Sequence, residues 1–249
     1  MVGSSIANES DDVIYTWAGP EIAVATTKAY STQLAVSYLL AIYMGEALGT
    51  ITQEEYSHYI EELQALPDKI EKTLANKENI QYFASRSFNA KDIFFIGRNL
   101  DYAMSMEGSL KLKEISYIHS DAYAAGELKH GTISLVEDGT LVVALATQKA
   151  LFDKMMSNVK EVKARGALVL GLTTDNQAKI EQEVDFAFYI PEACDIMLPS
   201  LAVIPLQLFA YYVASMKGCD IDKPRNLAKS VPPPIRRLPT TKSWLLCST

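Results

Sequence analysis

A lysine and a glutamate stand three residues apart in the segment Glu107–Gly131, which reads EGSLKLKEISYIHSDAYAAGELKHG. Side chains at this spacing share one face of a helix, so the ammonium of Lys111 can steer the carboxylate of Glu114 or tune its pKa. This pair could therefore carry acid–base chemistry. Taken alone, however, the spacing favours an exposed ion pair, which is worth under about 0.5 kcal/mol.

A histidine closes the same segment, at the end of a run of polar and small residues from Ala122 to Gly131. The glycines in this run predict a loop. A loop histidine that titrates near neutral pH can move protons, although most single histidines have no such role. His130 is therefore a candidate for proton transfer, and an ordinary histidine is the alternative.

Two other polar groups could contact a ligand. Pro224 favours an extended chain, which could lay Lys229 across the mouth of a pocket; a solvated basic tail is the alternative. Thr26, Thr27 and Lys28 stand at the start of a helical pattern, where amides and hydroxyls suit an anion. Threonines at such positions are, however, usually structural caps.

Alternating strand and helix patterns from Asp92 onward predict the elements that position these groups. Four short apolar runs predict a parallel sheet covered on both faces, namely Asp92–Gly97, Thr140–Ala146, Ala167–Thr173 and Phe186–Ile190. Between the second and third runs, apolar residues at steps of three and four predict a crossover helix that ends before Gly166. Right-handed strand–helix–strand units of this kind give a doubly wound α/β fold.

The two ends of the chain show other patterns. The N-terminal part has one strand candidate, Asp12–Trp17, followed by helical patterns at about 21–48, 52–65 and 67–85, with Pro67 in a first helical turn. A lone strand cannot bury its edges, so this part is predicted to be the remainder of a second sheet. The last 18 residues, Pro232–Thr249, show neither period and predict an unstructured tail.

Composition excludes several classes of protein. The chain has 249 residues, 49% of them apolar and 21% charged, which is typical of a protein with a packed core. A net charge of −7 argues against a nucleic-acid or membrane-surface partner. Three cysteines without a CxxC pair predict a reducing cytoplasm, and no motif indicates a metal or other cofactor. The apolar run Met197–Met216 contains two prolines and predicts a buried helix.

Three strings, in their order and spacing, resemble one family closely: GPEIAVATTKAYSTQLA, the segment Glu107–Gly131, and DKPRNLAKSV. They resemble the isomerase domain of glucosamine-6-phosphate synthase, the isomerizing glutamine:fructose-6-phosphate aminotransferase, over about Val2 to Val231. The resemblance implies a sugar isomerase (SIS) fold, which is a flavodoxin-like three-layer αβα sandwich with a parallel sheet. The implied divisions are a truncated, mostly helical remnant of a first SIS subdomain (1–50), a helical linker (51–75), the second SIS subdomain (76–231) and the tail (232–249).

The resemblance also implies a reaction. In the family, fructose 6-phosphate is opened, receives ammonia released from glutamine, and undergoes a proton shift that yields glucosamine 6-phosphate. By residue-to-residue match, Glu114 is implied to be the base of this shift and Lys111 its cationic neighbour. His130 is implied to assist ring opening in the neighbouring subunit of a homodimer, and Lys229 to form an imine with the open-chain sugar.

Further matches bear on substrate binding. Val24, Thr26 and Ala228 are implied to line the sugar site, with Thr26 in place of the more usual serine. The family's phosphate-binding loops of the first subdomain and its glutaminase domain would lie before the first residue, and Thr147 and Gln148 stand in a loop that lacks the corresponding glycine and paired serines. We therefore expect an enzyme domain whose isolated activity is weak or absent. The alternative is a non-catalytic SIS module that binds a phosphosugar or dimerises.

Overall fold

The computed structural model describes residues 2–225, 227 and 228, which form helices around one sheet. The N-terminal part contains helices α1 (Ser5–Glu9), α2 (Lys28–Ala47), α3 (Gln53–Ala75) and α4 (Lys77–Ser87). The remainder contains β1 (Asp92–Gly97), α5 (Leu100–Ser116), β2 (His119–Ala124), β3 (Leu141–Ala146), α6 (Phe152–Lys163), β4 (Leu168–Thr174), β5 (Phe186–Ile190) and α7 (Leu198–Met216). Short 3₁₀ helices connect them at Ala125–His130, Thr132–Leu135, Lys149–Leu151 and Ala178–Gln182.

The five strands pair in parallel, in the order β2-β1-β3-β4-β5. The chain moves from β1 outward to β2 at one edge, then returns beside β1 with β3 and continues to β5 at the other edge. The direction of winding therefore reverses between β1 and β3, as in doubly wound folds. All four predicted apolar runs are strands of this sheet, to within one residue at each end.

The sheet is covered on both faces because its apolar side chains alternate. On β1, Ile93 and Phe95 pack on the side of α4, α5 and α7, whereas Phe94 and Ile96 pack on the side of α6. Buried residues form one hydrophobic cluster on each side of the sheet. The predicted three-layer αβα sandwich is confirmed.

Helix α7 forms the centre of the larger cluster. It packs on α5 and α4, and Leu201, Val203 and Phe209 are fully buried. Among the described helices, α7 is long and apolar enough to cross a membrane by length and composition only, and 67% of that apolar window is buried inside the fold. The prediction of a buried helix here is confirmed.

Two predictions for the N-terminal part are wrong. Asp12–Trp17 forms no strand, because the segment has no ladder partner among the described residues and Trp17 is 88% exposed. The helix break predicted at Pro67 lies at Asn76 instead. Pro67 is exposed within α3, where its ring removes one backbone hydrogen bond.

The edge strand β2 was not predicted. The loop prediction for Ala122–Gly131 is wrong at its start, because β2 continues to Ala124 and a 3₁₀ helix, Ala125–His130, follows. Among the described strands β2 pairs with β1 alone; it reads HSDAYA, and most of its side chains are partly solvated. An edge strand of this kind lacks the apolar run by which a central strand is recognised.

Candidate active site

Helix α5 carries the predicted lysine–glutamate pair, and the fold buries it. Nζ of Lys111 is 2.6 Å from Oε2 of Glu114 and 3.7 Å from Oε1 of Glu107. The Lys111 side chain is only 7% exposed, so this is not the exposed ion pair that spacing alone favoured. A buried ammonium loses its hydration, and the two carboxylates offset that loss.

Glu107 is a member of this cluster that the sequence reasoning missed. Burial raises the pKa of Glu107, the charge of Lys111 opposes that rise, and the charge of Glu114 adds to it. Glu107 is also less exposed than Glu114, at 12% against 22% of the side chain. Its position four residues before Lys111 was the signal that could have found it. Two carboxylates in different surroundings around one cation can divide acid and base roles.

A cavity of about 200 Å³ lies beside Lys111. Its walls come from the segment before α2, from α5, from α7 and from the residues after α7. The lining residues are Ala23, Ala25, Thr27, Lys111, Ile115, Gln207, Ala210, Tyr211, Ile221 and Asp222. Apolar walls with a few polar groups are typical of small-molecule sites.

A larger cavity, of about 460 Å³, lies at the amino ends of β1, β2 and β3. Its His119 is exposed, and Nδ1 of His119 lies 2.8 Å from Oδ1 of Asp92, so these two side chains already contact each other at a solvated surface. We assign the site to the smaller cavity because that cavity is lined by the buried Lys111.

Of the three residues predicted to line the sugar site, Val24 and Thr26 lie in the segment that forms part of this cavity's wall, whereas Ala228 is not among the lining residues. The amide of Val24 donates to the carbonyl of Asp222 at 2.9 Å, which joins the segment before α2 to the residues after α7. Val24 and Thr26 are partly buried and alternate in sequence with Ala23, Ala25 and Thr27, which line the cavity. Ala228 is exposed.

The start of α2 already holds a carboxylate. Oε1 of Glu21 accepts from the amide of Thr27 at 2.8 Å, from its hydroxyl at 3.1 Å and from the amide of Lys28 at 3.1 Å. Burial alone would raise the pKa of Glu21, but these donors outweigh it and lower the pKa. The chain's own glutamate thus engages the amides of Thr27 and Lys28 and the hydroxyl of Thr27, and the Thr27 side chain makes no capping hydrogen bond to α2.

His130 ends the 3₁₀ helix Ala125–His130, and its side chain is 70% exposed. Its Nε2 is 3.9 Å from Oε2 of Glu127. Within the described part of this chain, no contact joins His130 to Lys111 or Glu114. The imidazole of His130 therefore faces solvent in the described chain.

The chain returns from α7 to the end of α5. The amide of Arg225 donates to the hydroxyl of Tyr117 at 2.7 Å, and the Arg225 guanidinium lies 4.2 Å from the centre of the Tyr117 ring. Tyr117 follows α5 in a left-handed conformation, three residues beyond Glu114. The predicted Lys229 and the predicted tail lie outside the described residues.

The loop after β3 is also occupied by a carboxylate of the chain. Asp101, in the first turn of α5, accepts from the amide of Thr147 at 2.8 Å and from its hydroxyl at 2.6 Å. Burial raises the pKa of Asp101, whereas the donors of Thr147 and the amide of Gln148 lower it. The amide and hydroxyl of Thr147 and the backbone amide of Gln148 thus bind an internal carboxylate of the chain, where the winding direction reverses between β1 and β3.

Comparisons with known proteins agree with this fold. The SIS domain family matches residues 88–217. Over 93% of its length the chain is 60% identical to the isomerizing glutamine–fructose-6-phosphate aminotransferase of Caldanaerobacter subterraneus subsp. tengcongensis and 58% identical to that of Clostridium tetani. The chain spans 38% of the length of these relatives.

Solved structures give the same assignment. The C-terminal domain of glucosamine-fructose-6-phosphate aminotransferase from Francisella tularensis superposes with a TM-score of 0.84 at 36% identity, over 90% of this chain and 64% of that one. Glucosamine-6-phosphate deaminase from Thermotoga maritima shares the fold, with a TM-score of 0.64 at 24% identity over 92% of this chain and 63% of that one. By fold and by sequence, the chain belongs to the SIS domain family.

Proposed function

We propose that this chain is a sugar-phosphate isomerase domain that acts on fructose 6-phosphate. The observation that carries the proposal is the buried Lys111, held between two carboxylates at the wall of a cavity. The names of its relatives supply the substrate, because those enzymes act on glutamine and fructose 6-phosphate. We further propose that ammonia from glutamine, where it is supplied, enters at C2, the carbonyl carbon of the open-chain sugar.

The proposed reaction moves one proton between neighbouring carbons. Glu114 takes the proton from C1 of the open-chain ketose and returns it to C2, while the hydroxyl proton of O1 moves to O2. The Lys111 ammonium stabilises the negative charge that develops on the oxygen atoms. With ammonia, the C2 carbonyl first becomes an imine with loss of water, and the same shift leaves the amine on C2 as glucosamine 6-phosphate.

His130 enters the proposal through a homodimer. Its exposed side chain has no contact with the Lys111 cluster of its own chain, which is the arrangement expected of a group that serves the partner's site in ring opening. We propose Lys229 as the imine-forming residue. The hydrogen bond from Arg225 to Tyr117 supports this role. It holds the chain just before Lys229 at the end of α5, the helix that carries Lys111 and Glu114.

The domain divisions form part of the same proposal. We assign 1–50 to a remnant of a first SIS subdomain, 51–75 to a linker, 76–231 to the second SIS subdomain and 232–249 to a tail. Two observations support these divisions: helix α3 spans Gln53–Ala75, and the SIS match spans 88–217.

We also propose a cytoplasmic location for the chain. Cys194 and Cys219 are free thiols, which supports that location.

The test is turnover of millimolar fructose 6-phosphate by the purified chain, read as glucose 6-phosphate through a coupled dehydrogenase. We expect slow turnover that Glu114→Gln abolishes, because the amide keeps the shape of the side chain and cannot accept the proton. Glu71→Gln, at an exposed position on α3, is the matched control and retains the wild-type rate.

The possible outcomes distinguish an isomerase domain from a non-catalytic module that binds a phosphosugar. Turnover that survives Glu114→Gln removes Glu114 from the mechanism. Saturable binding of fructose 6-phosphate without turnover, by a chain that is folded according to circular dichroism, supports the non-catalytic phosphosugar-binding module instead.

A further inference from the structure

A buried asparagine connects α6 to the residues that precede His130. Asn158 is 2% exposed, whereas the other buried residues of α6 are all apolar. Its Oδ1 accepts from Nε of Arg98 at 3.0 Å and from Nη2 of Arg98 at 2.8 Å. Because the amide oxygen faces these two donors, the amide nitrogen faces Glu161, and it donates to Oε2 of Glu161 at 3.3 Å.

The same contacts reach both ends of the 3₁₀ helix Ala125–His130. At its start, a Cβ added to Gly126 would lie 3.1 Å from Nη2 of Arg98, so the guanidinium lies directly against the chain there. At its end, Nζ of Lys129 is 3.4 Å from Oε1 of Glu161. The buried amide of α6 therefore lies at the centre of a network that contacts this 3₁₀ helix at both ends.

The polar contacts add direction to an apolar attachment. Ala125 and Leu128 are buried in the hydrophobic cluster that α6 shares with the sheet, which attaches the 3₁₀ helix to the fold. Apolar contacts are not directional, whereas the planar guanidinium fork of arginine binds its acceptor in a defined geometry. The network therefore sets the orientation of the 3₁₀ helix, and with it the direction of the imidazole of His130, which is 70% exposed.

We infer that Asn158 and Arg98 are positioning residues, which fix the 3₁₀ helix and so direct the imidazole of His130 toward the sugar ring in a partner subunit. The inference rests on the proposed function for the role of His130. When the ring opens, the C2–O5 bond breaks, O5 gains a proton and the hydroxyl on C2 loses one, so an acid must meet O5. A displacement of about 1 Å from such a position can slow a reaction about 100-fold.

Two variants disturb the network without removing His130. Asn158→Asp keeps the size of the side chain and still accepts from Arg98, but it replaces the donor to Glu161 with a carboxylate that repels it. Arg98→Lys removes the guanidinium fork and keeps the charge. Lys160→Met is the matched control on the same helix, because Lys160 is 62% exposed and its ion pair lies at the surface.

The experiment compares two sugars on the full chain. Exchange of the C1 proton in heavy water is measured with fructose 6-phosphate and with 5-deoxyfructose 6-phosphate, which lacks the hydroxyl that closes the ring. We expect Asn158→Asp to slow exchange of fructose 6-phosphate about 10-fold and to change exchange of the 5-deoxy sugar by less than about 2-fold. His130→Ala shows the same selectivity, and Lys160→Met changes neither rate. If circular dichroism shows that Asn158→Asp does not fold, Arg98→Lys carries the same expectation.

The contrary results fall into distinct classes. Folded variants that exchange both sugars at the wild-type rates overturn the inference and leave the proposed function intact. Equal slowing of both sugars assigns the network to the stability of the fold and also overturns the inference. If His130→Ala has no effect on fructose 6-phosphate, the imidazole has no part in ring opening and the inference is wrong. A folded wild-type chain that exchanges neither sugar overturns the proposed function together with the inference.

Discussion

Replacing Lys111 by methionine tests the electrostatics of the site. Methionine keeps most of the apolar length of the lysine side chain and removes its charge, so the change isolates the ammonium from the packing of its stem. Glu107 and Glu114 then face each other without the cation that lies 3.7 Å and 2.6 Å from them. The variant therefore leaves two partly buried carboxylates uncompensated.

The expected loss follows from the burial of the three groups. Removing one partner of a buried ion pair costs about 3–5 kcal/mol. The carboxylates here retain some hydration, with 12% and 22% of their side chains exposed, so we expect a loss of about 2–3 kcal/mol at pH 7. For a chain of this size that loss corresponds to a fall in melting temperature of about 5–10 °C.

The loss depends on pH with a definite sign. Burial raises the pKa of Glu107 in the folded chain, so the folded state holds that proton more tightly than the unfolded state does. Stability therefore falls as pH rises from the ordinary carboxyl pKa, about 4.3, through the higher folded value. Because the Lys111 charge lowers the pKa of Glu107, its removal raises that pKa further. The difference between the variant and the wild type should be largest at neutral pH and shrink toward pH 4.

The assay is urea unfolding followed by circular dichroism at pH 7 and at about pH 5. Lys160→Met is the matched control, because Lys160 is 62% exposed and forms a surface ion pair with Glu183 at 3.0 Å. Such a surface pair is worth about 0–1 kcal/mol. Equal losses for the two lysine variants, or a Lys111→Met loss that does not change with pH, would refute the electrostatic account of the cluster.

Three further predictions concern the elements that support the site. Asp101→Ala leaves two buried donors of Thr147 without an acceptor, and we expect the free energy of unfolding in urea to fall by about 2–4 kcal/mol. A fall below about 1 kcal/mol would show that the hydrogen bonds between Asp101 and Thr147 are unimportant for stability. Gly97→Ala places a Cβ 2.4 Å from the backbone of Asp101 and should lower the melting temperature more than Ala substitution at Gly45, where the contacting atoms belong to the flexible side chain of Ile51. Thr52→Ala breaks the capping box with Glu55 and should cost about 1 kcal/mol, whereas an unchanged stability would mean that tertiary packing alone fixes the start of α3.

The sequence predicted the strands of the sheet most directly where the strands are buried on both faces. Runs such as Asp92–Gly97 and Leu141–Ala146 are apolar because α helices cover them from both sides. β2 was missed because its sequence, HSDAYA, is mostly polar and small, and its pairing with β1 is a long-range property that no local pattern shows. The Asp12–Trp17 segment is rich in the β-branched and aromatic residues that favour strands but finds no partner strand in the described chain.

Only part of the candidate site could be predicted from the sequence. The spacing of Lys111 and Glu114 predicted that they share a helix face, and their contact at 2.6 Å agrees with that. Their burial could not be predicted from spacing, because α7, almost a hundred residues later in the chain, packs against α5. The same holds for Glu21 and Asp101, which occupy donors that look available to a ligand in the sequence. The roles of all the predicted site residues stay predictions, namely those of Glu114, Lys111, His130, Lys229, Val24, Thr26 and Ala228.

The central claim is that Glu114 accepts a proton from C1 of fructose 6-phosphate. The most direct measurement incubates the sugar phosphate with the purified chain in heavy water and follows the loss of the C1 proton signal by NMR, which detects proton transfer even when net turnover is slow. We predict exchange by the wild type that Glu114→Gln slows at least about 100-fold. Exchange at the wild-type rate in Glu114→Gln, or none in a folded wild-type chain that binds the sugar phosphate, would contradict the account.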